Sequence, residues 1–121
     1  MDTNALMMPV EADCRVFEEL DRLLGEYTCV VPDPVISELE SIAESGGAAG
    51  RAAQVGLELA QRCDPIAAEE SYADDALLAL GRAGAVDAVL TNDAPLRNRL
   101  LEADVPVIHL RGQNQLTRTQ P

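Results

Sequence analysis

Four acidic residues in separate stretches of the chain, Asp2, Glu38, Asp75 and Asp93, could do chemistry together. A ligand set of oxygens alone suits Mg²⁺ or Mn²⁺ better than zinc. Such a cluster holds one or two cations and activates water against a phosphodiester. A single acid says little in a chain with 21 of them. What matters is where the four fall.

Asp93 follows the run Val89-Leu90-Thr91-Asn92 and precedes Ala94-Pro95. It stands where a strand ends and a helix begins. Aspartate is a good N-cap there; cap and ligand fit equally well, and the roles can coexist. Asp74 and Asp75 fall in the first turn of a helix expected from Tyr72 to Arg82. Acids favour a helix N-terminus. This helix is otherwise nearly all Ala and Leu, so it should be buried on most sides. Two adjacent carboxylates at its head then need water or a cation, and the residues alone leave the choice between them open. For Glu38 the helical period decides. At about 100° per residue, Val35, Leu39 and Ile42 form one apolar stripe and Glu38 lies roughly 60° off its centre. Glu38 can reach inward over a sheet, whereas Glu40 faces away. A solvated boundary glutamate fits Glu38 as well. Asp2 is at the extreme N-terminus, where a frayed end is the ordinary reading.

The elements that must position these acids alternate in type. After a polar start, Val10 to Leu24 reads as an amphipathic helix, closed by Gly25. Tyr27 to Val31 is a β-rich run stopped by Pro32. Asp33 caps a helix with Pro34 in its first turn, running to about Glu44. Gly46-Gly47 breaks the chain before a small-residue helix from Ala49 to Arg62. Pro65-Ile66-Ala67 is a short strand. Asp87 to Thr91 is a strand, Ala94 to Ala103 a helix, and Val105 to Leu110 the last strand. Gly112 to Pro121 is polar and expected to fray. Strands separated by helices imply an α/β fold with a parallel sheet. Sites in such sheets form beyond the carboxyl ends of the strands.

Composition narrows the function. The chain has 121 residues, 47% of them apolar, which suffices for one domain with a real core. No apolar run approaches the ~20 residues of a membrane span, and no signal peptide is evident, so a cytoplasmic protein is expected. Cys14, Cys29 and Cys63 form no Cys-x-x-Cys pair and read as buried reduced thiols. His109, the single histidine, reads as structural. The formal net charge is −12, and all nine basic residues are arginine. An acidic, lysine-free surface suits concentrated salt, as in a salt-adapted archaeon. It argues against a generic nucleic-acid binder, which is normally basic.

Four stretches carry the acids: Asp2-Thr3-Asn4-Ala5-Leu6, Val35-Ile36-Ser37-Glu38-Leu39, Asp75-Ala76-Leu77-Leu78-Ala79 and Val89-Leu90-Thr91-Asn92-Asp93. Together, and in this order, they resemble the motifs of PIN-domain nucleases. The resemblance implies a three-layer α/β/α domain over residues 1–111, followed by a polar tail, 112–121. It implies a Mg²⁺- or Mn²⁺-dependent endoribonuclease with ligands at Asp2, Glu38, Asp75 and Asp93. The family's Asp-Ala-Leu-Leu-Ala pattern is what favours Asp75 over Asp74 as ligand, leaving Asp74 beside it. Asn4 and Thr91 would orient carboxylates or water, and Arg97, on the helix face of Asp93, would hold a phosphate. Hydrolysis in line would leave a 5′-phosphate and a 3′-hydroxyl. Thr91 to Leu100 with Val105 to Ile108 is similar to the rRNA-processing members of the small-subunit processome type. The short length is similar to VapC-type toxins, which would bring an antitoxin partner. A non-catalytic scaffold binding RNA or protein is the remaining alternative. Family members often pair, so a homodimer is expected. They also place an apolar strand of about five residues before the first aspartate. Only Met1 stands there, so the sheet looks truncated and the native start is expected upstream.

Overall fold

The computed structural model describes the chain except residues 12 and 13. Its elements are α1 (Thr3–Glu11), α2 (Val16–Leu24), β1 (Val30–Pro32), α3 (Asp33–Glu44), α4 (Gly47–Ala60), β2 (Asp64–Ile66), α5 (Ala73–Arg82), β3 (Val89–Leu90), α6 (Ala94–Glu102), β4 (Val107–Arg111) and β5 (Gln115–Thr119). The fold is α/β. β1 pairs with β2, and β3 with β4, in parallel; β5 joins β4 antiparallel.

Three elements differ from expectation. The single helix over Val10–Leu24 is two helices, because Cys14 and Arg15 are not helical; residues 12 and 13 lie outside the described residues. α1 extends through the supposed polar start, with Ala5, Leu6, Met7 and Met8 all buried. The tail expected to fray supplies β5. Gly112, at φ 69°, makes the turn that returns it to β4. α2 then clasps its free edge. Glu19 accepts the Leu116 N–H at 3.0 Å, and Arg22 donates to the Leu116 carbonyl at 2.9 Å. Strand groups that would otherwise lie open are thereby satisfied. Asp33, expected as a cap, is the first residue of α3, after Pro32.

The small residues of α4 let its neighbours approach. A Cβ on Gly56 would lie 3.1 Å from the Leu6 carbonyl of α1 and 3.2 Å from a Leu39 methyl of α3. Cys29 and Cys63 are not reduced thiols but a disulfide. They sit at the heads of β1 and β2, and the pairing of Val30 with Asp64 sets them side by side. Cys14 is buried and free. His109 is structural: Nδ1 lies 3.0 Å from the Leu110 carbonyl and Nε2 2.7 Å from the Thr119 hydroxyl. A carbonyl only accepts, so Nδ1 carries the proton and Nε2 accepts from Thr119. Among the described residues no helix is long and apolar enough to cross a membrane.

The two sheets do not join. A cavity of about 480 Å³ opens along β1 and β3, lined by residues including Leu20, Leu24, Leu77, Val86 and Ile108. The chain start crosses it. The Met1 ammonium donates to the Val30 carbonyl at 3.0 Å, and the Asp2 N–H donates to the Leu90 carbonyl at 3.1 Å.

Candidate active site

The acids come from elements that begin where parallel strands end. α3 starts directly after β1 and carries Glu38. α5 follows β2 and carries Asp74 and Asp75. Asp93 stands between β3 and α6. Asp2 crosses from β1 to β3 through the two backbone bonds just described.

Asp2 is 4% exposed and fully engaged. One carboxylate oxygen accepts the Ala5 N–H at 2.8 Å, capping α1. The other accepts the hydroxyl of buried Thr91. Burial pushes the Asp2 carboxyl up to about 6; the two hydrogen bonds oppose this and the charge of Asp74 adds to it. The same burial lowers the Met1 ammonium to about 6, against the pull of Asp2. The signs of the two effects differ. A carboxyl raised from 3.8 stabilises the fold below that value and loses this as pH rises through about 6. An ammonium lowered from 8.0 stabilises the fold above that value and loses this as pH falls through about 6. Melting temperature from pH 4 to 8 should therefore pass through a minimum near 6, each limb worth on the order of 2 kcal/mol. Asp2→Asn should flatten the acid limb, and N-terminal acetylation the alkaline one. A profile with no minimum in the unmodified chain would contradict this.

Thr91 links Asp2 to Asp93. Its hydroxyl accepts the Asp93 N–H at 3.1 Å while donating to Asp2. Its own N–H continues the β3–β4 ladder to the Ile108 carbonyl at 3.0 Å. Asp93 is the N-cap of α6, accepting the Leu96 N–H at 3.2 Å. A single cap bond leaves its other oxygen free of that duty, so cap and ligand are compatible.

The charges of the other acids are felt at Asp74. Its carboxyl is raised, first by the protein that displaces water on one side, then by Asp93, Glu38 and Asp75, with Arg99 opposing. Asp75, the expected ligand, meets Arg99 of α6 at 3.2 Å in an exposed ion pair. Arg99, exposed on α6, thereby brings a cation beside Asp75. Val35 and Leu39 are buried as the stripe required, while Glu38 is exposed. Asn4 is exposed in the first turn of α1, and Arg97 is half-buried on α6. Sequence reasoning passed over Thr3. Its hydroxyl is the one buried side-chain polar atom without a partner among the described residues.

These donors suit a hard cation in kind: they are all oxygens, with mutual repulsion that a cation would relieve and an orphaned hydroxyl next to Asp2. Among the described residues no three of them converge closely enough to grip one ion as they stand. Of Asp2, Glu38, Asp74 and Asp93, Glu38 and Asp74 are the exposed members.

The sequence and the fold have known counterparts. The PIN-like domain family matches residues 1–113. The chain belongs to that family. Ribonuclease VapC4 of Methanocaldococcus jannaschii is 27% identical to this PIN-like chain over 114 residues, covering 91% of it and 87% of the relative. The solved PIN domain endonuclease Utp24 shares the fold, with a TM-score of 0.74 at 23% identity over 98% of this chain and 90% of that one.

Proposed function

We propose that this chain is a metal-dependent endoribonuclease that hydrolyses RNA phosphodiester bonds. The observation that supports the reading is that acids from separate elements are neighbours: Thr91 bonds both Asp2 and the Asp93 backbone, and the charges of Asp93 and Glu38 raise the Asp74 carboxyl. The relative named as a ribonuclease supports RNA as substrate. When bound, Mg²⁺ or Mn²⁺ supplies Lewis acidity toward phosphate and makes water more acidic. Asp2, Glu38, Asp74 and Asp93 would hold it. Thr91 fixes Asp2 and the backbone of Asp93 in one orientation. Asp75 acts through Arg99, holding that guanidinium beside the cluster, and Arg97 offers a second cation for phosphate. Asn4, exposed in the first turn of α1, would orient water.

The test is RNA cleavage in molar KCl, with Mg²⁺ or Mn²⁺ against EDTA and with Asp93→Asn alongside. The wild type should cut only with metal, and Asp93→Asn should not cut. Cleavage in EDTA would sink the reading, and a wild type that binds RNA without cutting would establish a scaffold. An rRNA-processing role and a toxin share this chemistry. The similarity of Thr91 to Leu100 favours the first, and cleavage confined to precursor rRNA rather than tRNA or mRNA would separate them.

A further inference from the structure

The chain contains two tyrosines, one phenylalanine and no tryptophan. Phe17 is buried, with the Arg62 guanidinium 3.9 Å over its ring. Tyr27 is half-buried, and its hydroxyl donates to the Phe17 carbonyl at 3.5 Å. Tyr72 is the exception. It is 76% exposed, and Val10 is the only other large apolar side chain left exposed among the described residues.

Its position is specific. Tyr72 is the N-cap of α5, in extended conformation, and caps with its backbone alone. Its carbonyl accepts the Ala76 N–H at 3.0 Å, which fixes the backbone, and Ala73 beside it is buried. Beyond it come Asp74, which feels the charges of Asp93 and Glu38, and Asp75, which holds Arg99. The ring is therefore solvent-exposed at the head of the helix that carries Asp74 and Asp75, with the Arg99 guanidinium paired to Asp75.

The global charge makes this ring more valuable. At a formal net charge of −12 the protein repels RNA at long range. Affinity must come from short-range contacts. Phosphate contacts weaken steeply with salt, whereas stacking of a base on an aromatic ring does not depend on attracting phosphate. Single-stranded RNA offers unstacked bases to such rings.

We propose that Tyr72 is a stacking platform for an unpaired nucleobase of the RNA, docking the base next to the phosphate that is cut. This rests on the ribonuclease reading, but its test does not require cleavage. Binding of a fluorescent single-stranded RNA is measured by anisotropy in EDTA, at low and molar KCl, for the wild type, Tyr72→Ala, Tyr72→Leu and Tyr72→Phe. Circular dichroism confirms that each variant is folded. Tyr72→Ala should weaken binding roughly 5- to 100-fold, the range of one lost base stack. Tyr72→Leu should recover little of this, Tyr72→Phe should bind within about twofold of wild type, and the Ala deficit should persist in molar KCl. In metal-dependent cleavage Tyr72→Ala should raise KM and leave kcat unchanged. Equal binding by wild type and Tyr72→Ala would overturn the platform while leaving a cutting wild type a ribonuclease. A Tyr72→Phe defect as large as that of Ala would also overturn it, by assigning the contact to the hydroxyl. A wild type that binds with this pattern and never cuts would keep the platform and remove the nuclease.

Discussion

Asp74→Asn is expected to slow RNA cleavage by at least about 100-fold, while Asp75→Asn stays within roughly threefold of wild type. A carboxylate that helps hold a catalytic cation contributes several kcal/mol to the transition state, and about 1.4 kcal/mol is tenfold in rate. Asp74 shares charge repulsion with Asp93, Glu38 and Asp2; Asp75 is spent on Arg99. Stability should move the other way. Ionised Asp74 is disfavoured in the folded state by burial and like charge, so the neutral amide should raise the melting temperature slightly. Asp75→Asn gives up an exposed ion pair, worth about 0–1 kcal/mol, and should lower it slightly or not at all. Loss of activity with gain of stability is the mark of a site that keeps repulsion for function. Single-turnover cleavage and thermal melts on both variants check this. Equal activity of wild type and Asp74→Asn would exclude Asp74, and a collapse confined to Asp75→Asn would restore the assignment favoured by the motif.

The second large effect concerns stability. Fusing about five alternating Val and Ile residues to the N-terminus should raise the melting temperature by roughly 10 °C. β3 bonds to β4 through the N–H groups of Val89 and Thr91, so the alternation of the ladder turns the Leu90 N–H and the Ala88 carbonyl toward the cavity. On the other side the Cys29 carbonyl receives Asp64, and the Val30 N–H and Thr28 carbonyl face the cavity. Met1 and Asp2 already supply one rung to each edge. An extended segment continuing backward from Met1 would extend both ladders and fill the 480 Å³ with apolar side chains. It would also replace the desolvated Met1 ammonium by an amide. Each buried branched side chain contributes about 1.5–3 kcal/mol, against about 1–2 kcal/mol for ordering its backbone. A Gly-Ser extension of equal length is the control. If both extensions melt alike, the cavity is not a strand slot.

Much of this architecture was legible. α5, α6, β3 and β4 announced themselves because their apolar residues follow the period of the element they form. β5 did not: in Gln115–Thr119 only Leu116 is apolar, and the side chains that hold its backbone, Glu19 and Arg22, are far away in sequence. α1 hid for the opposite reason. Ala5 to Met8 is apolar without a break, so it shows no period, and Pro9 lies inside the helix. The disulfide has no spacing signature; parallel pairing of β1 with β2 creates it. Asp93 was placed at a strand-to-helix junction by the residues themselves, whereas a role for Thr91 came only from the family resemblance. The choice between Asp74 and Asp75 is not readable from periodicity, because adjacent helical residues differ by about 100° and the rotation of α5 against α6 sets which of them meets Arg99.

The Cys29–Cys63 bond divides the acids topologically. It closes a covalent ring that contains α3 and α4, and with them Glu38, while Asp2, Asp74 and Asp93 lie outside it. Closing a loop with a sequence separation of 34 removes about 3–4 kcal/mol of chain entropy from the unfolded state. That restraint acts only on the ring. Cleaving the bond with a thiol would relax one wall of the site and leave the other three acids on the frame that Thr91 and the β3–β4 ladder provide. The thiol balance of the surroundings is thus coupled to one corner of the carboxylate cluster, through the connectivity of the chain and not through any contact with the acids.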